Sequence, residues 1–259
     1  MISFVINAIK IIFLLGFLIL IHEGGHFIVA KLCKVKVNEF AIGFGKIIWK
    51  KQGKETQYSL RLIPLGGFCS MEGEEQQSDD IGSFSKASVW KRMAIVIAGA
   101  TVNIVFGILV YFILVSTVEI SFVDPARDTF INRIYYGAQG TKEFILAIFD
   151  SIKMLFSGGL KTDQMVGIVG ISEVVVQTNG IINYLNLLAV ISVSLGVTNL
   201  LPIPALDGGK LLILLIEVIR RKPMKVETEA KIQLIGFSIL ITLSLFVTYN
   251  DILRISTGS

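Results

Sequence analysis

Cysteine and histidine are each reduced to two residues in this chain of 259, proline to five, and charged residues to 17%. Two cysteines, Cys33 and Cys69, are too few for a disulfide framework and read as inert thiols rather than ligands. The shortage of charge, with 53% hydrophobic residues and a mean hydropathy of +0.72, excludes an ordinary soluble domain. A bilayer is the expected solvent. The net charge of +4 points to no nucleic acid, because the lysines and arginines cluster beside apolar stretches, where they set orientation. The chain also lacks internal repeats and low-complexity segments.

What is present is a series of long apolar runs, each near the roughly 20 residues that a span requires. The fold class expected is a polytopic α-helical membrane protein with about four spans, at 1–30, 93–118, 181–219 and 232–247, the third broken at 202–209. The first run has only Lys10 as an early charge and no small-residue cleavage site, so it reads as a retained span. Lys31, Lys34 and Lys36 follow it, Lys86, Lys91 and Arg92 precede the second, and Arg220, Arg221, Lys222 and Lys225 follow the third. Basic flanks of this kind lie in the cytoplasm, which places the C-terminus and the connection Glu119 to Gly140 outside. Between the first two spans, Val37 to Trp49 and Thr56 to Ile63 are rich in β-branched and aromatic residues around a Lys51-Gln52-Gly53-Lys54 turn. They read as a membrane-associated β-hairpin on the cytosolic side, ended by Pro64-Leu65-Gly66-Gly67-Phe68, with a loop over Glu72 to Asp80. Thr141 to Phe156 has helical apolar spacing and reads as an interfacial or packed helix, and Met165 to Val176 as a further short helix.

The chemistry sits at the end of the first span. His22-Glu23-Gly24-Gly25-His26 is an HExxH motif, and a spacing of four puts both imidazoles on one helix face, able to share a metal ion. Glu23 beside them can take a proton from water activated there. A chance match is the competing reading. Against it, these are the only two histidines in the chain, and an ionisable residue at mid-membrane costs about 2.5 to 3.5 kcal/mol on insertion scales. Gly24 and Gly25 each cost a helix about 1 kcal/mol relative to Ala, a penalty explained if another backbone passes close by. A catalytic zinc usually takes three protein ligands, so a third is needed. Asp207 is the only acid between Glu173 and Glu217, and lies where prolines and glycines break an apolar run. A turn with a solvated aspartate is the alternative use of that segment. Glu217 is the second candidate, although its place by Arg220 and Arg221 favours an ion pair.

In order along the chain, HExxH, a PLGGF-type hairpin, Ala98-Gly99-Ala100-Thr101-Val102-Asn103 and Asn199-Leu200-Leu201-Pro202-Ile203-Pro204-Ala205-Leu206-Asp207-Gly208-Gly209 resemble the site-2 protease family. The likeness is closest to its bacterial regulated intramembrane metalloprotease branch. It implies a multi-pass enzyme of the cell membrane that holds one zinc ion (Zn2+) with His22, His26 and Asp207, uses Glu23 as general base, and has its active site toward the cytosol. It also implies single-span membrane proteins as substrates, such as anti-sigma factors or signal-peptide remnants. Asn199 resembles a residue that contacts the substrate backbone, and Ser59, Gly66 and Gly67 of the hairpin are expected to bind the substrate by strand addition. The chain departs from the family pattern in three places. About 22 residues at Glu119 to Gly140 cannot encode the PDZ domain usual there, Ala100 stands for a common proline, and Lys210 for a common histidine.

Two other classes compete. A membrane metal-ion transporter would be expected to show paired broken helices, and here only one break is visible. A catalytically inactive scaffold would be expected to have lost Glu23, which is present.

Overall fold

The computed structural model describes residues 2–74, 76, 78–119, 127–157 and 167–257. In chain order these form α1 (Ile2–Leu32), β1 (Val37–Gln52), β2 (Gln57–Met71), α2 (Val89–Leu114), α3 (Phe130–Phe156), α4 (Ile168–Gln177), α5 (Ile181–Asn199), α6 (Asp207–Arg220) and α7 (Val226–Thr257). Among the described residues, four helices are long and apolar enough to cross a membrane, over Val5–Leu32, Val89–Val118, Ile181–Asn199 and Val226–Leu253. They leave apolar side chains such as Ile9, Phe13, Val105, Leu234 and Phe237 exposed, as residues that meet lipid would be. The chain is a multi-pass membrane protein. It divides into two compact units, residues 1–104 with 195–241, and residues 105–194 with 242–259.

The first unit contains the hairpin, which pairs antiparallel and is longer and more bent than its sequence suggests. Pro64 does not end β2. The strand bends there and resumes, because positive φ at Gly43, Gly45 and Gly66 permits a fold in both strands that a side chain would strain. After the bend the hairpin lies beside its own base: Glu39, Phe40, Ala41 and Ile42 pair with Ser70, Cys69, Phe68 and Gly67, and also with Gln57, Tyr58, Ser59 and Leu60. Residues 47–52 pair in turn with 57–61. Segment 67–71 is therefore an edge, whereas 57–60 is interior. Phe44, Leu62 and Ile63 at the bend are exposed.

The hairpin base joins a core of Ala30, Val35, Val37, Met71, Phe84, Ile95 and Leu214. Cys69 is buried there, and burial first, then the charges of Glu23 and Glu74, push its thiol up to about 12. It stays protonated, neither ligand nor nucleophile.

Glu217 pairs with neither neighbouring arginine expected of it. Its Oε2 accepts from Arg92 of α2 at 2.7 Å and its Oε1 accepts from the Met224 backbone N–H at 2.7 Å. The pair is desolvated, with side-chain exposures of 13% and 5%. Glu217→Ala should therefore leave a buried guanidinium unpaired and destabilise by about 3–5 kcal/mol in a thermal or denaturant melt. Arg221→Ala should change little. The reverse ranking would mean that the ion pair does not hold α6 to α2.

In the second unit α3 begins at Phe130, eleven positions before the expected Thr141. Gly137 and Gly140 look like loop residues in sequence, yet a Cβ on Gly137 would collide with Ser116, and one on Gly140 would sit 3.1 Å from Val115. They allow α3 to lie against a π turn over Val115–Glu119, and the Tyr111 and Phe144 rings stack at 4.1 Å. Of the outer connection expected over Glu119 to Gly140, residues 120–126 fall outside the described residues, as do Met165 and Val166 of the short helix that becomes α4. Asp251 of α7 accepts the Gly167 and Gly170 N–H groups at 3.0 and 2.9 Å, satisfying donors at the start of α4.

Candidate metal centre

Two helix-bound imidazoles and one carboxylate meet in the first unit. His22 and His26 lie one turn apart on α1, their rings perpendicular with centroids 4.9 Å apart. Asp207 is the first residue of α6, so its carboxylate also meets that helix's N-terminal dipole. Asp207 Oδ2 lies 3.2 Å from His22 Nε2 and 3.4 Å from His26 Nε2, and the two Nε2 atoms are 3.2 Å apart. Ligand arms of about 2.0 to 2.1 Å in a tetrahedron give edges of about 3.3 to 3.4 Å, which this triangle matches. Among the described residues, this is the group of three ligand-type side chains within 4.8 Å of one another.

The donor chemistry fits as well. The buried His26 Nδ1–H donates to the Ile95 carbonyl at 2.8 Å, which holds the ring so that Nε2 faces the other two ligand atoms, the orientation a metal-bound imidazole needs. His22 Nδ1 is buried without a hydrogen-bond partner among the described residues. A metal therefore suits the site by distance and by donor type, held by His22, His26 and Asp207.

Glycine makes the site possible at three places. A Cβ on Gly25 would stand 2.7 Å from the Ala98 carbonyl oxygen, so α1 and α2 touch backbone to backbone. One on Gly99 would overlap His26 Nε2 and lie 2.8 Å from the neighbouring ring carbons. Gly24, expected to share this role, has nothing within 4 Å. Behind Asp207, side chains on Gly208 and Gly209 would collide with the carbonyls of Leu200, Leu201 and Ile203, so the Leu200–Leu206 turn lies tight on α6. Ala205 takes φ +74 there, its N–H held by Gln233 Oε1.

Glu23 follows His22 on α1, with its carboxylate near His22, His26 and Asp207. Gly67 of the edge strand rests on α1 at this level: its Cβ would meet Ile19 at 2.9 Å and Glu23 Cγ at 3.4 Å. Gly66, with Phe44 packed on it, is beside it. Ser59 lies elsewhere. It is buried with Ala41 on one side and Lys50 on the other, and its hydroxyl donates to Glu39 Oε1 at 2.5 Å, so no added strand can pair with it. Asn199 ends α5, half-buried, at the start of the turn that leads to Asp207.

Sequence reasoning passed over Gly99 and the Ile95 carbonyl. The small-residue triplet Ala98-Gly99-Ala100 inside an apolar helix was the available signal, since small residues mark close helix approach in membranes.

The family model described as Peptidase family M50 matches residues 10–243. A Clostridium acetobutylicum relative with a provisional zinc metalloprotease name is 31% identical over 329 aligned positions, covering 95% of this chain and 97% of the relative. The regulator of sigma-W protease RasP of Bacillus subtilis is 25% identical over 422 positions, covering 97% and 99%. The zinc metalloprotease RasP of Bacillus licheniformis is 25% identical over 415, covering 96% and 99%. Alignments longer than this chain's 259 residues mean that these relatives carry residues with no counterpart here.

Proposed function

This chain belongs to peptidase family M50, the site-2 protease family that its motifs resemble, and we propose that it is a zinc endopeptidase cutting single-span substrates within the membrane. The observation that carries this reading is the ligand triangle on a span helix with a glutamate beside it. Glu23 lies about nine residues, or roughly 14 Å, before the end of α1. His22, His26 and Asp207 would hold the ion, which supplies Lewis-acid activation of a carbonyl and of water at neutral pH. Glu23 accepts the proton of the attacking water and delivers it to the departing amine, so the peptide bond breaks into a carboxylate and an amine with one water consumed.

A substrate helix hides its carbonyls in its own hydrogen bonds, so it must unwind before it is cut. The edge strand through Gly66 and Gly67 offers the unwound segment backbone partners beside Glu23, the strand-addition mode of peptide capture. The absence of a side chain at Gly67 lets the edge strand itself lie close against α1 beside the catalytic glutamate. Asn199 ends α5 at the turn before Asp207, and the family resemblance makes it a candidate to bond a substrate carbonyl or N–H. The basic flanks of the spans support a site on the cytosolic side of the cell membrane. The naming of a relative for sigma-W regulation makes anti-sigma factors the substrate class to test first, with signal-peptide remnants second.

The deciding experiment measures zinc content of purified full-length protein and cleavage of a single-span test protein in liposomes, with and without His22→Ala. The native chain should hold one zinc and cut inside the span, and the variant should lose both. Cleavage by the zinc-free variant, or zinc without any cleavage, would overturn the reading.

A further inference from the structure

Lys210 occupies the first turn of α6, three residues after the proposed ligand Asp207, yet its ammonium points away to another segment. It donates to Glu74 Oε1 at 2.6 Å and lies 4.7 Å from the centroid of the Phe84 ring. Glu74 follows the edge strand directly: its N–H donates to the Met71 carbonyl at 3.3 Å, and its Oε2 accepts the Met71 N–H at 3.4 Å. Phe84 is buried, and its N–H donates to the Glu72 carbonyl at 2.7 Å, closing the same loop upon itself. One carboxylate thus joins the last residue of β2 to the helix that begins with Asp207.

We infer that Glu74 and Lys210 are positioning residues that tie the strand receiving the substrate to the helix carrying the third metal ligand. The inference rests on the proposed function for the identity of strand and ligand. The side chains are exposed by only 22% and 18%, so water competes less for this pair than for a surface pair. α6 starts at the ligand itself, and the turn before it contains the left-handed Ala205, so the first turn depends on its lateral contacts to fix the carboxylate. Those contacts include the packing of Gly208 and Gly209, the Gln233 bond to Ala205 and the bond from Lys210. Outer partners of ligands commonly change metal affinity by about 10- to 100-fold.

The test uses the full-length protein with Glu74→Gln, Lys210→Met, the double variant and Lys210→Arg. Zinc affinity is read by chelator competition, and kcat and KM on a single-span substrate. Each neutral variant should weaken zinc about tenfold and lower kcat more than KM, and the double variant should be no worse than either single one. Lys210→Arg, which keeps the cation, should recover most of both. Unchanged zinc affinity in the singles, or losses that multiply in the double variant, would overturn the tie. Because zinc affinity is read without substrate, that outcome is separate from a failure of the protease reading, in which the native chain would bind zinc and cut nothing.

Discussion

Gly99→Ala should cost the protein its metal without touching a ligand. A methyl group there would occupy the place of His26 Nε2, the atom that must face Asp207. The Gly25 contact with Ala98 holds α1 and α2 too close for the helices to part by the needed distance. The imidazole must therefore rotate, which also breaks its bond to the Ile95 carbonyl. Zinc affinity should fall by about 100-fold or more and cleavage with it, more than the loss of an outer partner alone. Gly24→Ala is the matched control. It has open space around it, should keep its zinc, and should stabilise α1 by up to about 1 kcal/mol through helix propensity. Metal analysis and a thermal melt on both variants decide the matter, and a zinc-loaded, active Gly99→Ala protein would show that the helices can separate.

Glu23→Gln should have the opposite signature, full zinc and no cleavage. The amide is nearly the same shape, keeps the packing against Gly67, and leaves His22, His26 and Asp207 untouched. It cannot take the proton of water, so kcat should drop by about 100- to 10,000-fold at unchanged metal content. Asp207→Ala should instead lose zinc and activity together. A Glu23→Gln enzyme with near-native kcat would remove the general base from the scheme and send the search to another proton acceptor.

The meeting of His22, His26 and Asp207 is legible in the sequence because its two halves leave local marks. A repeat of four on a helix reveals His22 and His26, and a lone acid amid prolines and glycines reveals Asp207. Partners remote in sequence leave no such mark. The arginines next to Glu217 were the natural guess, whereas the partner is Arg92, on a different helix. Pro64 was read as a strand end because it lacks an N–H, and the structure instead bends the strand around it with the help of Gly66. The same bend hides Ser59 in the sheet interior and makes Gly66 and Gly67 the accessible edge. Gly137 and Gly140 suggested a loop by composition, although they face Ser116 and Val115 as contact points of a helix. In each case local propensity gave way to a neighbour that a single sequence does not reveal.

The ligands come from the two ends of synthesis. His22 and His26 leave the ribosome early, while Asp207 follows about 180 residues later. At roughly 5 to 20 residues per second, a nascent chain spends on the order of 10 to 40 s with its first helix made and its third ligand absent. During that interval the hairpin and helices α2 to α5 are made, while the two imidazoles and the glutamate wait for their third partner. A site that needs Asp207 is complete only once α1 to α5 have been made, so the order of the chain itself delays its assembly.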